Sequence, residues 1–153
     1  MAIKEHTYEV KLGVAAKRIF KAVTSESYNI IPKANAHVKN VDILQGDGGV
    51  GSIRQVNFHD GFYIKNRIET IDTENKINKF AIIEGGGLGD KFDLIVHTHK
   101  FEDSSDGGCV VKIVVEYHSK GDAEVTQEDI KDEDPKFLKI IEKYLIANPE
   151  ACA

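Results

Sequence analysis

Cysteine is scarce in this chain: Cys109 and Cys152 are the only two in 153 residues, and they lie far apart. That spacing excludes a disulfide framework and a zinc-finger pattern. It fits two free thiols in a reducing, cytoplasmic compartment. Long apolar runs are missing too. Met1 to His6 contain none, so no signal peptide is expected, and no segment reaches the length of a membrane span. Nor is there an excess of positive charge. Lys and Arg total 20 against 25 Asp and Glu, a net charge of −5, which speaks against a nucleic-acid scaffold with a broad basic face. Repeats, low-complexity tracts and linkers are absent, so residues 1–153 are expected to form a single domain. At 41% hydrophobic residues such a domain can bury a core without disulfides. No nucleophile elbow, no supported Cys-His pair and no metalloprotease helix appears.

Glycine, by contrast, is frequent and clustered. Gly46, Gly48 and Gly51 fit the dinucleotide fingerprint G-x-G-x-x-G. That motif works only where a helix follows, because the helix N-terminus carries the pyrophosphate. Here Ser52 to Phe58 follow, alternating β-branched or aromatic residues with polar ones, which predicts a strand. The P-loop reading fails as well, since Ser52 stands where the phosphate-binding lysine belongs. Gly46, Gly48, Gly49 and Gly51 therefore read as a loop between two strands.

The rest of the chain sorts by period. Residues 3–12 predict a first strand, with Tyr8, Val10 and Leu12 on one face. Residues 14–25 switch to a helical stripe of Val14, Ile19, Phe20 and Val23. A second short helix over 28–33 would be capped by Ser27 and limited by Pro32. Strands are predicted at 38–45, 52–59, 62–72, 76–84, 91–101 and 109–119, separated by turn signals such as Asp60-Gly61 and Ser104 to Gly108. Thr126 would cap a long helix with an apolar stripe of Phe137, Ile140, Ile141, Tyr144 and Leu145, ended by Asn148-Pro149. Pro135 lies inside that helix and predicts a kink near 131–135. An antiparallel sheet with a long amphipathic helix on one face is the economical arrangement.

Four motifs occur in order: Gly46 to Gly51; Glu84-Gly85-Gly86 with Leu88-Gly89-Asp90; Tyr117 to Asp122; and Tyr144 to Pro149. With this order of elements, the whole chain resembles the plant class 10 pathogenesis-related proteins, the family of the birch pollen allergen Bet v 1. The resemblance implies an α+β helix-grip fold. In it a seven-stranded antiparallel sheet wraps around a long C-terminal helix, two short helices follow the first strand, and an internal cavity lies between. It also implies a plant defence-related, cytoplasmic protein that holds amphipathic small molecules, such as cytokinins, flavonoids or other phenolics. No cofactor, no membrane and no nucleic-acid partner is expected, and the protein is expected to be a monomer.

Period-two alternation proposes which side chains face such a cavity. They are Arg54, Val56 and Phe58; Ile64, Asn66 and Ile68; Asn78, Phe80 and Ile82; and Val111, Ile113, Val115 and Tyr117. Val38 joins them, as do Val23 and Ile30 from the short helices and Phe137, Ile141 and Tyr144 from the long one. A packed core would account for the apolar members. Arg54, Asn66 and Asn78 point instead to a wet cavity, because a buried charge without a partner or water is costly. His97 and His99, at i and i+2 on a strand, point the same way. Such a pair can supply two metal ligands, but spacing fixes no third, and no metal site is expected. Matched to the family, they share parity with Ile95 and contact the ligand. Enzymatic alternatives remain. The family has been credited with ribonuclease activity, whose residues would fall on Arg54, Asp93, Glu142 and Tyr144. Family members often carry Lys and Glu at the first two positions, and Arg does not shuttle protons at neutral pH. An alkaloid-condensing branch uses a lysine near Lys120 with a tyrosine where this chain has Gly87, so that specialised metabolism lacks its phenol here.

Overall fold

The computed structural model describes residues 3–130 and 133–153. Strand β1 (Ile3–Leu12) is followed by helices α1 (Ala16–Val23) and α2 (Ser27–Ala34). Then come strands β2 (Val38–Gln45), β3 (Ile53–Phe58), β4 (Tyr63–Asp72), β5 (Ile77–Gly85), β6 (Phe92–Asp103) and β7 (Cys109–Ser119), a 3-10 turn (Gln127–Asp129), and helix α3 (Glu133–Ala147). The strands form one antiparallel sheet in the order β1-β7-β6-β5-β4-β3-β2. Consecutive strands from β2 to β7 pair as hairpins, and β1 pairs with β7 from Ile3↔His118 to Leu12↔Cys109. The β7 sequence shows why one face is the inner one: Cys109, Val111, Ile113, Val115, Tyr117 and Ser119 are all buried, and the residues between them are not. The pairing of β2 with β3 shifts register twice, between Val38 and Asn40 and between Ile43 and Gln45.

The helix α3 lies on the inner face. Its buried residues are Asp134, Leu138, Ile141 and Leu145, a spacing of four, three and four that keeps one stripe turned to the sheet. Ile140, expected in the stripe, is exposed instead; at one position from Ile141 it points about 100° away around the helix. Phe137 and Tyr144 are half-buried flanks packed against the core. Two further contacts pin the helix to the end of β1 and the bend after it: Lys139 Nζ donates to Lys11 O at 2.9 Å and Gly13 N–H donates to Glu142 Oε2 at 2.5 Å. Arg18 on α1 holds the C-terminal end. Its Nη2 donates to the carbonyls of Leu145, Asn148 and Ala151 at 3.0, 3.0 and 2.8 Å, and its Nε to Ala151 O at 3.2 Å.

Three local expectations are corrected. Thr126 caps the 3-10 turn, not the long helix. Its N–H and Oγ1 both donate to Asp129 Oδ2, at 2.7 and 2.9 Å, and the extended backbone at Ile130 (φ −86, ψ 119) ends that turn. Helix α3 is described from Glu133, and Pro135 falls in the first turn of that span, where the missing N–H has no helical partner to lose within it. The expected kink therefore has no cause within the described residues; Lys131 and Asp132 lie outside them. Ser27 sits inside α2 after an N-cap Glu26 that makes no side-chain cap bond. Its hydroxyl accepts from Arg54 instead.

Glycine matters most where β5 ends. Gly85 has φ +72, and a Cβ there would stand 2.2 Å from Tyr63 O. Gly48 has φ +95 with nothing within 4 Å. The left-handed backbone costs a non-glycine residue about 1–2 kcal/mol at either position. Gly85→Ala adds a backbone clash, so it is expected to destabilise by roughly 2–4 kcal/mol. Urea unfolding of both variants checks this, and equal losses would remove the steric part of the argument.

Candidate functional site

Two polar clusters interrupt the apolar inner face. The first surrounds Arg54 on β3, which is only 5% exposed. Its Nε donates to Asn66 Oδ1 at 3.2 Å, and its Nη1 donates to Ser27 Oγ at 3.0 Å and to Val23 O at 3.4 Å. The register places Arg54 directly across from Asn66, and its guanidinium carbon stands 5.8 Å from the centre of the Phe80 ring. All these partners are neutral. Burial accordingly lowers the guanidinium pKa to about 10.

Arg54 lines a cleft of about 690 Å³ between the two short helices and the far half of the sheet. Phe20, Tyr28, Ile43, Ile68 and Ile71 supply apolar wall, and Gly48 and Gly49 of the glycine loop form part of the rim. Charged side chains in the lining are Lys17, Lys21 and Arg54 against Asp47 alone. The cleft is thus locally basic in a chain of net charge −5.

The second cluster lies where α3 begins. His97 Nδ1 and His99 Nε2 on β6 both approach Asp134 Oδ2, at 2.7 and 2.6 Å. The parity of β6 turns both rings inward, and Phe80 stacks on His97 at 5.0 Å with the planes 7° apart. All three groups are buried. The other ring nitrogens, His97 Nε2 and His99 Nδ1, are buried without a hydrogen-bond partner among the described residues. Burial raises the Asp134 carboxyl pKa, but the charge and hydrogen bonds of His97 and His99 lower it further, and it settles below the usual carboxylate range.

The expected cavity residues separate accordingly. Arg54, Ile68, Gly48 and Gly49 line the cleft. Val23, Ile30, Val38, Ile82, Ile95, Val111, Ile113, Val115, Tyr117 and Ile141 are buried in the core, and Val56, Phe58, Ile64, Phe137 and Tyr144 pack partly buried against it. Asn66, Asn78, His97 and His99 are buried polar groups, and Phe80 is half-buried between Arg54 and His97. Sequence reasoning missed Asp134, Ser27 and the lysines of α1. The i, i+4 spacing of Lys17 and Lys21 was the available signal for the lysines.

The residues of the ribonuclease alternative have separate engagements. Arg54 is buried among neutral groups, Asp93 is exposed on β6, and Glu142 accepts from Gly13 N–H and pairs with Lys139 at 3.6 Å. Lys120 is exposed after β7, and its N–H donates to Lys91 O. The glycine loop spends its own amides: Gly48 N–H donates to Ser52 Oγ, Gly49 N–H to Asp47 Oδ1 and Gly51 N–H to Ile68 O. With strand β3 following, it lacks the helix N-terminus such a phosphate site requires. Both cysteines are free. Burial, with Asp103 and Glu142 nearby, pushes the Cys109 thiol up to about 11, away from the thiolate form a nucleophile needs.

The profile of the pathogenesis-related protein Bet v 1 family matches residues 1–148. The chain belongs to this family. Pathogenesis-related protein STH-2 of Solanum tuberosum is 39% identical over 159 residues, covering all of both chains. Major allergen Pru ar 1 of Prunus armeniaca is 40% identical over 154 residues, covering 95% of this chain and 96% of that one. Among solved structures, Ara h 8.0201 superposes with a TM-score of 0.85 at 27% identity, over 96% of this chain and 100% of its own. Norcoclaurine synthase from Thalictrum flavum, in complex with dopamine and hydroxybenzaldehyde, gives a TM-score of 0.76 at 23% identity over 96% and 88%; at that identity the likeness is one of fold. Among the described residues of this family member, no helix is long and apolar enough to cross a membrane.

Proposed function

We propose that this Bet v 1 family chain is a defence-related binding protein for an amphipathic small molecule that carries an acidic or phenolate group. The ligand's apolar body would lie against Phe20, Ile68 and Ile71, and its anionic end would reach Arg54. The observation that carries this reading is the buried Arg54, which sits in the wall of a basic, largely apolar cleft with only neutral partners. A buried cation without a counter-charge is costly to the empty protein, and a ligand anion recovers that cost through charge-assisted hydrogen bonds. Sites of this kind combine an apolar lining with a few placed polar groups. Hormones, flavonoids and other phenolics match that chemistry in size and polarity. The aromatic pair named with the norcoclaurine synthase structure supports, at the level of the fold, a molecule of that size.

Displacement of a fluorescent apolar dye by a carboxylic acid and by its methyl ester tests the proposal. Arg54→Leu is expected to weaken the acid by about 10- to 100-fold, the equivalent of one or two charge-assisted hydrogen bonds. The ester should change by less than about threefold, since it loses no ionic contact. Equal weakening of both would show that Arg54 acts through packing, and the assignment of an anionic end would be withdrawn.

A further inference from the structure

We propose that His97 Nδ1, His99 Nε2 and Asp134 Oδ2 form a binding site for one divalent transition-metal ion of the zinc or cobalt kind. The site is separate from the cleft, so its success or failure leaves the small-molecule reading untouched. The three ligand atoms lie within 4.8 Å of one another. Spacing along β6 supplies the two imidazoles on one face, and the first turn of α3 supplies the carboxylate that no sequence spacing fixes. Two imidazoles and one carboxylate suit zinc, cobalt, nickel or copper, whereas calcium and magnesium take oxygen ligands.

Asp134 is buried, and its ion-pair partners among the described residues are the two imidazoles, with no lysine or arginine. The site is also well braced: the stack of Phe80 on His97 fixes one ring, and His99 stands edge-on to Phe101.

The present separations of 2.7 and 2.6 Å are those of atoms sharing a proton. Zinc bonds of about 2.0–2.2 Å at tetrahedral angles set ligand atoms roughly 3.2–3.5 Å apart. Insertion therefore requires the carboxylate to withdraw by less than about 1 Å and the two imidazole nitrogens, which lie within 4.8 Å of each other, to close toward the same separation of roughly 3.2–3.5 Å. The metal takes the lone pairs at His97 Nδ1 and His99 Nε2. Their protons then reside on His97 Nε2 and His99 Nδ1, the two buried nitrogens with no hydrogen-bond partner among the described residues. Missing outer-shell acceptors weaken metal sites by about 10- to 100-fold, so binding is expected in the micromolar range, with the fourth position open to water.

The test is titration of chelator-stripped protein with Co²⁺, followed by visible absorption and then by displacement with Zn²⁺. One equivalent should bind and develop the strong bands of a tetrahedral ion. His99→Gln should weaken binding by at least about tenfold, while His6→Gln on β1 should leave it unchanged. Long-range ¹H–¹⁵N correlation on the unmutated protein needs no variant to fold. On Zn²⁺ addition the protonated nitrogen of His97 should move from Nδ1 to Nε2, and that of His99 from Nε2 to Nδ1. Absence of saturable binding at millimolar Co²⁺, or binding that leaves both tautomers in place, would overturn the proposal.

Discussion

Asp134→Leu is expected to lower the unfolding free energy of the metal-free protein by about 3–5 kcal/mol, the cost of removing one member of a buried charged network. Two imidazole N–H groups would lose their common acceptor, at 2.7 and 2.6 Å, at a place where all three groups are buried. The added apolar surface of leucine cannot offset two stranded donors. Asp134→Asn should cost less, about 1–2 kcal/mol, because an amide oxygen still accepts but without charge assistance. The pH dependence separates the two effects. The folded carboxyl is held below its ordinary range by the two histidines, so on acidification the unfolded chain takes up this proton first. The contribution is therefore complete above the unfolded carboxyl pKa of about 4 and is lost as pH falls below it. Urea denaturation with chelator present, between neutral pH and pH 3, should show the gap between wild type and Asp134→Asn closing only at the acid end. A loss under about 0.5 kcal/mol at neutral pH, the size of an ordinary surface substitution, would show that the cluster does not hold α3 to the sheet.

Arg18→Met is expected to cost about 2–3 kcal/mol and to lower Tm by roughly 5–10 °C for a chain of this size. Methionine keeps most of the aliphatic stem while removing every donor. Leu145 O belongs to the last turn of α3, where it also accepts a 3-10-type bond from Asn148 N–H at 3.3 Å, and Asn148 O and Ala151 O continue the same row. Arg18 thus fastens residues 145–151 to α1. Arg18→Lys should recover less than half of the loss, because an ammonium lacks the planar fork that reaches several carbonyls at once. Amide exchange in residues 148–153 should accelerate in the methionine variant. Unchanged exchange and an unchanged Tm would mean that the C-terminal turn is held by its own bonds, such as Asn148 Nδ2 to Tyr144 O at 2.9 Å.

The strands were legible because each carries its own signal. Period-two alternation and short turn dipeptides are local, and the β7 run from Cys109 to Ser119 is delimited at both ends as expected. The start of α3 was not legible. A capping pattern at Thr126 closes on Asp129 equally well for one 3-10 turn as for a helix, and Asp129 is bonded at 2.5 Å to Lys91, in the turn before β6 and far away in sequence. Inward direction was legible for Arg54, Asn66, His97 and His99, all of which are buried. Their partners were not. Ser27 reads locally as a cap and Asp134 as one of a run of acids, and each acquires its role only when a strand tens of residues away is brought beside it. The position of the cleft was equally hidden. It depends on how the two short helices stand off β2 and β4, a distance that no periodicity encodes.

The open sheet leaves β1 and β2 as its two outermost strands, the edges to which a strand from another molecule would add. On β1, Lys4, Glu5, Glu9 and Lys11 are exposed, and charge of both signs discourages flush stacking. The hazard is greater on β2, where Ile43 and Leu44 are both exposed. The register shift between Ile43 and Gln45 falls on that apolar pair and bends the strand out of line where it would otherwise be stickiest. The same irregularity that carries the chain into the glycine loop beside the cleft thus also guards the protein against fibre-like growth from its own edge.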